Sequence, residues 1–240
     1  MNSDENTVEL TMTQNDIRCL SEPIEASVKS HGATPEAVWL DRSNAQEKGV
    51  RRCDAIFRML DSRADSTILD LGCGPGLALG YLEDRHGLMV ERYLGIDISE
   101  PLIDAARLAW PHHKFEVRDI TANPLPAKCY DFTAINGVLT AKYTLPNDAM
   151  ESFVTELLSA AWQSTSVALS FNVMSIHVDW MRDDLFHWPL DRAAGFCISQ
   201  LSRHINIIAD YDLYEYTVQV YREPYLQGRI PDAWHPAHEL

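Results

Sequence analysis

Short apolar runs recur along the chain, separated by polar segments of helical length. Residues 67–71, 91–97, 113–117, 130–136 and 165–171 have strand length, and Ile68, Leu69 and Leu71 show the dense apolar character of a strand covered on both faces. Strands that alternate with helices predict a parallel sheet. The rhythm changes near the end, where residues 204–209 and 214–221 read as two further strands joined only by residues 210–213. Four residues are too few for a helical crossover, so these two strands are expected to pair as an antiparallel hairpin. Upstream of the first strand, Ile17, Leu20, Ile24 and Val28 fall at near-helical spacing, which predicts a helix over residues 13–30 despite Pro23. Thr34 followed by Pro35 reads as an N-cap and first helical residue leading toward Val38, Trp39 and Leu40, and another helix is expected over about 49–61. No internal repeat interrupts this order.

The densest local signal is Thr67-Ile68-Leu69-Asp70-Leu71-Gly72-Cys73-Gly74-Pro75-Gly76, an apolar strand that ends in an acid and a glycine-rich turn, with a helix expected over Leu77–Arg85. Glycines permit positive φ and close approach of backbone to a ligand, and the first amides of the helix face the turn. The lysine followed by serine or threonine of a triphosphate-cradling loop is missing after the last glycine. The next strand, Tyr93–Asp97, ends in an acid about 20 residues beyond the turn, where a carboxylate accepts hydrogen bonds from ribose hydroxyls. A third segment, Lys114–Ile120, places Asp119 and Ile120 after a strand, as a carboxylate-and-amide clamp on an adenine ring requires, and a fourth runs from Tyr130 to Gly137. A dinucleotide-binding dehydrogenase is the nearest rival, but its pattern needs a third glycine where this chain has Leu79.

The order of these four segments resembles the class I S-adenosylmethionine-dependent methyltransferases over roughly residues 65–221. The resemblance implies an α/β fold: a Rossmann-like, doubly wound, mostly parallel seven-stranded sheet with the antiparallel C-terminal hairpin and an N-terminal helical cap. The cap is expected over residues 1–62 and the cofactor-binding catalytic core over 63–240, in one compact domain. It also implies S-adenosylmethionine as cosubstrate. The methionine part would lie at Gly72 and Gly74, the ribose at Asp97 and the adenine amine at Asp119, with Asp70, Cys73, Ile98, Ile120 and Asn136 completing the cofactor set.

Composition narrows the partners. Thirty-five acidic residues against 20 Lys plus Arg leave a formal charge of −15, which repels a phosphate backbone, and the densest basic pair, Arg51-Arg52, lies in a helical run. A small-molecule substrate is expected, with no nucleic acid. The chain has no apolar stretch of 18 residues and begins with polar and acidic residues, which points to a soluble, cytoplasmic protein with no membrane partner. Five widely spaced cysteines without a CxxC pair indicate reduced thiols rather than disulfides or a zinc ribbon, and no metal is expected. Cys73 reads as a small residue that fits the turn, against the alternative of a thiol activated by helix amides.

In open α/β sheets the ligand lies beyond the carboxyl ends of the strands, so residues after 136 and 171 are expected in the pocket. Asn136–Tyr143 lacks the Asn-Pro-Pro-Tyr or Asp-Pro-Pro-Tyr type of sequence used by nucleic-acid amino-methylating enzymes. Residues 172–188 form a long connection rich in charge, histidine and tryptophan, read here as an ordered lid over the substrate. His177 and His187 are candidate bases, too widely spaced to be a helical metal pair; Tyr143 and Trp180 are further catalytic candidates, offering aromatic faces to a sulfonium, as do Tyr211, Tyr214 and Tyr216. Trp39, Gln46, Arg51, Asn172 and Arg182 are candidates for the substrate or the cofactor tail. Residues 171–221 also look like a bacterial methyltransferase subgroup of surface-polysaccharide and secondary-metabolite pathways. The expected activity is methyl transfer to a sugar or natural-product intermediate. Two alternatives stay open: a lyase of the same fold that cyclises S-adenosylmethionine to azetidine-2-carboxylate and methylthioadenosine, and a non-catalytic cofactor-binding subunit. Oligomeric state is open.

Overall fold

The computed structural model describes residues 14–39, 42–60 and 66–224. Leu40 and the tail from Tyr225, with His235 and His238, lie outside them. Seven strands form one sheet: β1 (Ile68–Leu71), β2 (Tyr93–Asp97), β3 (Lys114–Val117), β4 (Tyr130–Ile135), β5 (Thr165–Met174), β6 (His204–Ile208) and β7 (Glu215–Tyr221). Their order is β3-β2-β1-β4-β5-β7-β6, and only β7 runs against its neighbours. The expected seven-stranded, mostly parallel sheet with an antiparallel hairpin is therefore what the chain forms.

Among the described residues seven α-helices accompany the sheet: α1 (Gln14–His31), α2 (Pro35–Val38), α3 (Ala45–Ile56), α4 (Ala78–His86), α5 (Glu100–Ala109), α6 (Asn147–Ser164) and α7 (Leu190–Phe196). Side chains of successive strand residues point to opposite faces, so each strand feeds two cores. Ile68, Phe132, Ala134 and Ala168 meet Ile56 of α3, Leu79 and Leu82 of α4 and Ile103 of α5. On the other face, Leu69, Leu94, Ile96 and Leu169 meet Met150, Val154, Leu157 and Leu158 of α6. This is the doubly wound arrangement, and it leaves the carboxyl ends of β1, β2, β3 and β4 along one edge.

Three boundaries differ from the sequence reading, each for a tertiary reason. Strand β5 continues to Met174 because β7 pairs with it along its whole length, Asn172 opposite Thr217 and Met174 opposite Glu215. The connection that follows is thus shorter than expected and starts at Ser175. Helix α3 begins at Ala45, after Asn44 turns the chain through a left-handed conformation at φ 51°, and its end at Ile56 runs into a 3₁₀ turn over Phe57–Leu60. Thr34 precedes α2 in extended conformation but makes no side-chain cap hydrogen bond, and α2 is a single turn. Pro23 sits inside α1 without ending it.

Helix α1 is held by a small satellite cluster in which Val28 packs with Ala37 and Leu102. Helix α3, by contrast, places Cys53 and Ile56 in the same core as β1.

One charged group is enclosed in the centre of the sheet. Asp70 of β1 is 1% exposed, and its Oδ2 accepts a 2.8 Å hydrogen bond from the Tyr93 hydroxyl. Burial pushes its carboxyl up to about 6, against the pull of that hydrogen bond. A carboxyl raised in the folded state contributes stability at pH 4 that is lost as pH rises through about 6. Asp70→Asn removes the titration, so denaturant titrations of the two proteins should show the native chain losing roughly 2 kcal/mol relative to the variant between pH 4 and pH 7.

Candidate active site

The glycine turn is tied to the end of β2. The amides of Gly72 and Cys73 both donate to the Ile96 carbonyl, at 2.7 and 3.0 Å, and the amide of Gly74 donates to Asp97 Oδ2 at 2.9 Å. Gly72 adopts φ +74°, and a Cβ there would lie 2.1 Å from Cγ2 of Val138, so glycine is required on both conformational and steric grounds. Gly74, at φ +53°, has nothing within 4 Å of its would-be Cβ: its α-carbon faces open space.

Asp97 is fixed by the turn and by the start of α5. Its Oδ1 accepts from the Ser99 amide at 2.9 Å, and Ser99 caps the helix by accepting from the Leu102 amide. Burial pushes the Asp97 carboxyl up, while the amides of Ser99, Gly74 and Ile98 pull it down. The Arg118 amide donates to the Asp97 carbonyl at 2.9 Å, which brings the exit of β3 alongside. There Asp119 uses one oxygen, Oδ1, for the Thr121 amide and hydroxyl, at 2.9 and 2.7 Å.

A second buried network crosses from α3 to the last strand. Arg52 lies with its guanidinium carbon 3.9 Å from the Trp39 ring centroid, and its Nε donates to Glu215 Oε1 at 2.9 Å. The other oxygen of Glu215 accepts from Asn172 Nδ2, and Asn172 Oδ1 accepts the Gly137 amide at 2.8 Å. Glu215 is almost fully buried and Arg52 nearly so, which makes this a desolvated ion pair with its remaining acceptor capacity used.

These groups line one cavity of about 500 Å³, within the usual range for small-molecule sites. Gly72, Gly74, Asp97, Ile98, Asp119, Ile120 and Asn136 form one wall; Leu20 and Ile24 of α1, with Trp39, Lys48 and Arg52, cover it. The opposite end is closed by residues after β5. This stretch is stitched to residues after β4: Phe186 N donates to the Thr140 carbonyl, and the Lys142 and Tyr143 amides both donate to the Asp184 carbonyl. Phe186 and Trp188 are buried beneath it, so its base is core rather than loose cover. Tyr143, Trp180, Arg182 and His187 line the cavity from this side, and the Tyr214 hydroxyl donates to Asp179 across the mouth.

Other expected site residues lie elsewhere. Asp70 is sealed inside the sheet behind the turn. Cys73 is buried, with its sulfur beside Gly95, and burial pushes its thiol up rather than activating it. Gln46 is exposed, and Arg51 points outward to Glu47 and Asp212 at 2.7 and 2.6 Å. Asn172 is fully buried behind the cavity and supports it through Gly137 and Glu215. His177 is exposed and outside the lining. Tyr211 and Tyr216 are core residues, whereas Tyr214 reaches the cavity. Arg52, Lys48 and Glu215 were not anticipated. Successive helical residues differ by about 100° in direction, so one of the pair Arg51-Arg52 had to face inward, but nothing local says which.

A family described as a methyltransferase domain matches residues 68–161. Over 169 residues, 68% of this chain and 98% of the relative, the sequence is 27% identical to a Mycobacterium tuberculosis protein assigned by name to the methyltransferases. The chain is therefore similar to the methyltransferases over its central segment and, more weakly, over about two thirds of its length. The fold of the chain is shared with magnesium protoporphyrin IX methyltransferase from Synechocystis, at TM-score 0.61 and 15% identity over 89% of this chain and all of that one. It is shared also with the plantazolicin methyltransferase, at TM-score 0.56 and 15% identity over 87% of this chain and 99% of that one.

The tightest constraint in the site is Gly72. Gly72→Ala forces both a left-handed alanine and a clash with Val138, so thermal unfolding should show a loss of about 1–3 kcal/mol. Titration calorimetry should find S-adenosylhomocysteine binding abolished, and Val138→Ala added to it should recover stability only in part.

Proposed function

We propose that this chain is a methyltransferase that binds S-adenosylmethionine along the wall made by Gly72, Gly74, Asp97 and Asp119 and methylates a small-molecule acceptor held under residues 175–188. The carrying observation is that the carboxyl ends of β1, β2 and β3 deliver an open α-carbon, two carboxylates and the Ile120 side chain to one cavity that is also lined by Tyr143, Trp180 and Tyr214. The free Oδ2 side of Asp119 suits the adenine amine, and Asp97 suits the ribose hydroxyls. Arg52, rather than Arg51, is placed for the carboxylate of the methionine part, held in position by Glu215 and the Trp39 ring. When bound, the cosubstrate supplies an electrophilic methyl group on a positively charged sulfur.

The chain's own contribution is orientation and exclusion of water. Leu20 and Ile24 cover the cavity from α1, and the segment stitched to residues 140–145 fixes the acceptor side. The charge of −15 supports a small acceptor over nucleic acid. Among the described residues, no helix is long and apolar enough to cross a membrane. Fold neighbours named for magnesium protoporphyrin IX and plantazolicin support an acceptor of the natural-product type over a sugar. A lyase that cyclises the cosubstrate needs no room for an acceptor, and a binding subunit would have that room filled; the cavity lining that His187 and Tyr143 contribute favours methyl transfer over both.

Three measurements test this. Asp97→Asn should weaken S-adenosylhomocysteine binding roughly 10- to 100-fold by calorimetry, the worth of a charge-assisted hydrogen bond. Arg52→Met should weaken S-adenosylhomocysteine by a similar factor while leaving methylthioadenosine, which has no carboxylate, within about threefold. Equal losses for both ligands would remove Arg52 from the tail. Incubated with S-adenosylmethionine alone, the protein should release no methylthioadenosine above the spontaneous background.

A further inference from the structure

Resting on the cosubstrate placement above, the acceptor side of the cavity carries one group whose hydrogen bonding defines its chemistry. His187 follows buried Phe186 and precedes buried Trp188, whose amide donates to the Met174 carbonyl at 3.0 Å. Its ring is therefore held by core residues on both sides. Nδ1 lies 2.6 Å from the Ser175 carbonyl oxygen, which can only accept, so the ring proton resides on Nδ1. Nε2 is left with a lone pair whose neighbour, the Arg182 amide, is at 3.5 Å, the outer edge of hydrogen bonding.

The surroundings combine aromatic rings with the Arg182–Asp184 ion pair, whose charges offset each other. Tyr143 stands on the same side of the cavity, and burial followed by the nearby Asp184 pushes its phenol up to about 12, so at neutral pH it is a hydroxyl donor. At the mouth, Trp180 and Tyr214 are 68% and 51% exposed with ring centroids 6.5 Å apart, and Met181 beside them is also exposed. These rings continue the cavity lining outward and offer flat faces to an aromatic body.

We infer that the acceptor is a phenolic hydroxyl and that His187 Nε2 is the catalytic base that takes its proton. The oxygen forms its bond to the methyl carbon as the sulfur–carbon bond breaks, with that electron pair left on sulfur. The hydroxyl proton passes to Nε2, while Nδ1 keeps its proton on the Ser175 carbonyl. Trp180 and Tyr214 hold the ring. The products are an aryl methyl ether, S-adenosylhomocysteine and a proton released later from His187.

His187→Asn separates position from basicity, because an asparagine amide can still donate to the Ser175 carbonyl and carries no basic nitrogen. With methyl-labelled S-adenosylmethionine, the native protein should methylate 4-ethylphenol on oxygen and leave benzylamine untouched. The variant should lose roughly 10²- to 10⁴-fold in rate with 4-ethylphenol. It should lose far less with 4-nitrophenol, which is partly ionised at neutral pH without a base. A nitrogen-15 spectrum of the native imidazoles should show His187 protonated on Nδ1. Benzylamine as the acceptor, equal losses on both phenols, a proton on Nε2, or no phenol methylation while S-adenosylhomocysteine binds would each overturn the inference. Failure of the native protein to bind S-adenosylhomocysteine would instead overturn the cosubstrate placement, and this inference with it.

Discussion

Three amides hold the site together: Gly72 and Cys73 on the carbonyl of Ile96, and Gly74 on the carboxylate of Asp97. They convert a turn that would otherwise be mobile into a fixed extension of two neighbouring strands. The tie exists only because β1 and β2 pair with Leu71 opposite Ile96, a register set by which residues enter which core. A shift of one residue would reverse every side chain of β1 and carry the turn away from Asp97. Packing of Leu69, Leu94 and Ile96 against α6 is therefore the same event as placing the glycines.

The cavity contains a fixed distribution of charge. Asp97, Asp119 and Glu215 bring carboxylates toward it, and Arg52 brings a cation whose counter-ion is buried beneath it. Burying Glu215 is costly, and the arrangement is tolerable because each of its oxygens has a donor. The same network reaches Gly137 through Asn172, so the exit of β4, the end of β5 and the start of β7 are fixed to each other by hydrogen bonds rather than by apolar packing alone. Such a network resists small rearrangements, which suits a reaction governed by alignment.

The strands, the glycine turn and the two acids at positions 97 and 119 were legible in the chain because each is a local pattern: a short apolar run, a φ-permissive turn, an acid at a strand end. The hairpin was legible because a four-residue connection admits no other pairing. What was illegible depends on distant partners. The three extra residues of β5 exist because β7 lies beside them, and the choice of Arg52 over Arg51 depends on which face of α3 meets Glu215. Asn172 and Glu215 read as ordinary polar residues until the fold sets them against each other. Of the two histidines, His187 differs from His177 only in lying between two residues that the core buries.

The ion pair between Arg52 and Glu215 joins positions 163 residues apart, on the first core helix and on the last strand of the sheet. A ribosome makes the glycine turn, Asp97 and Arg52 long before it makes Glu215. During synthesis the guanidinium therefore waits with no carboxylate to hold it, and α3 has no hairpin to pack against. The Arg52 side of the cavity takes its final form only when β7 pairs with β5 and β6, so a chain still emerging lacks the mature cavity. Completion of the sheet and completion of the cavity are one step in the life of this protein.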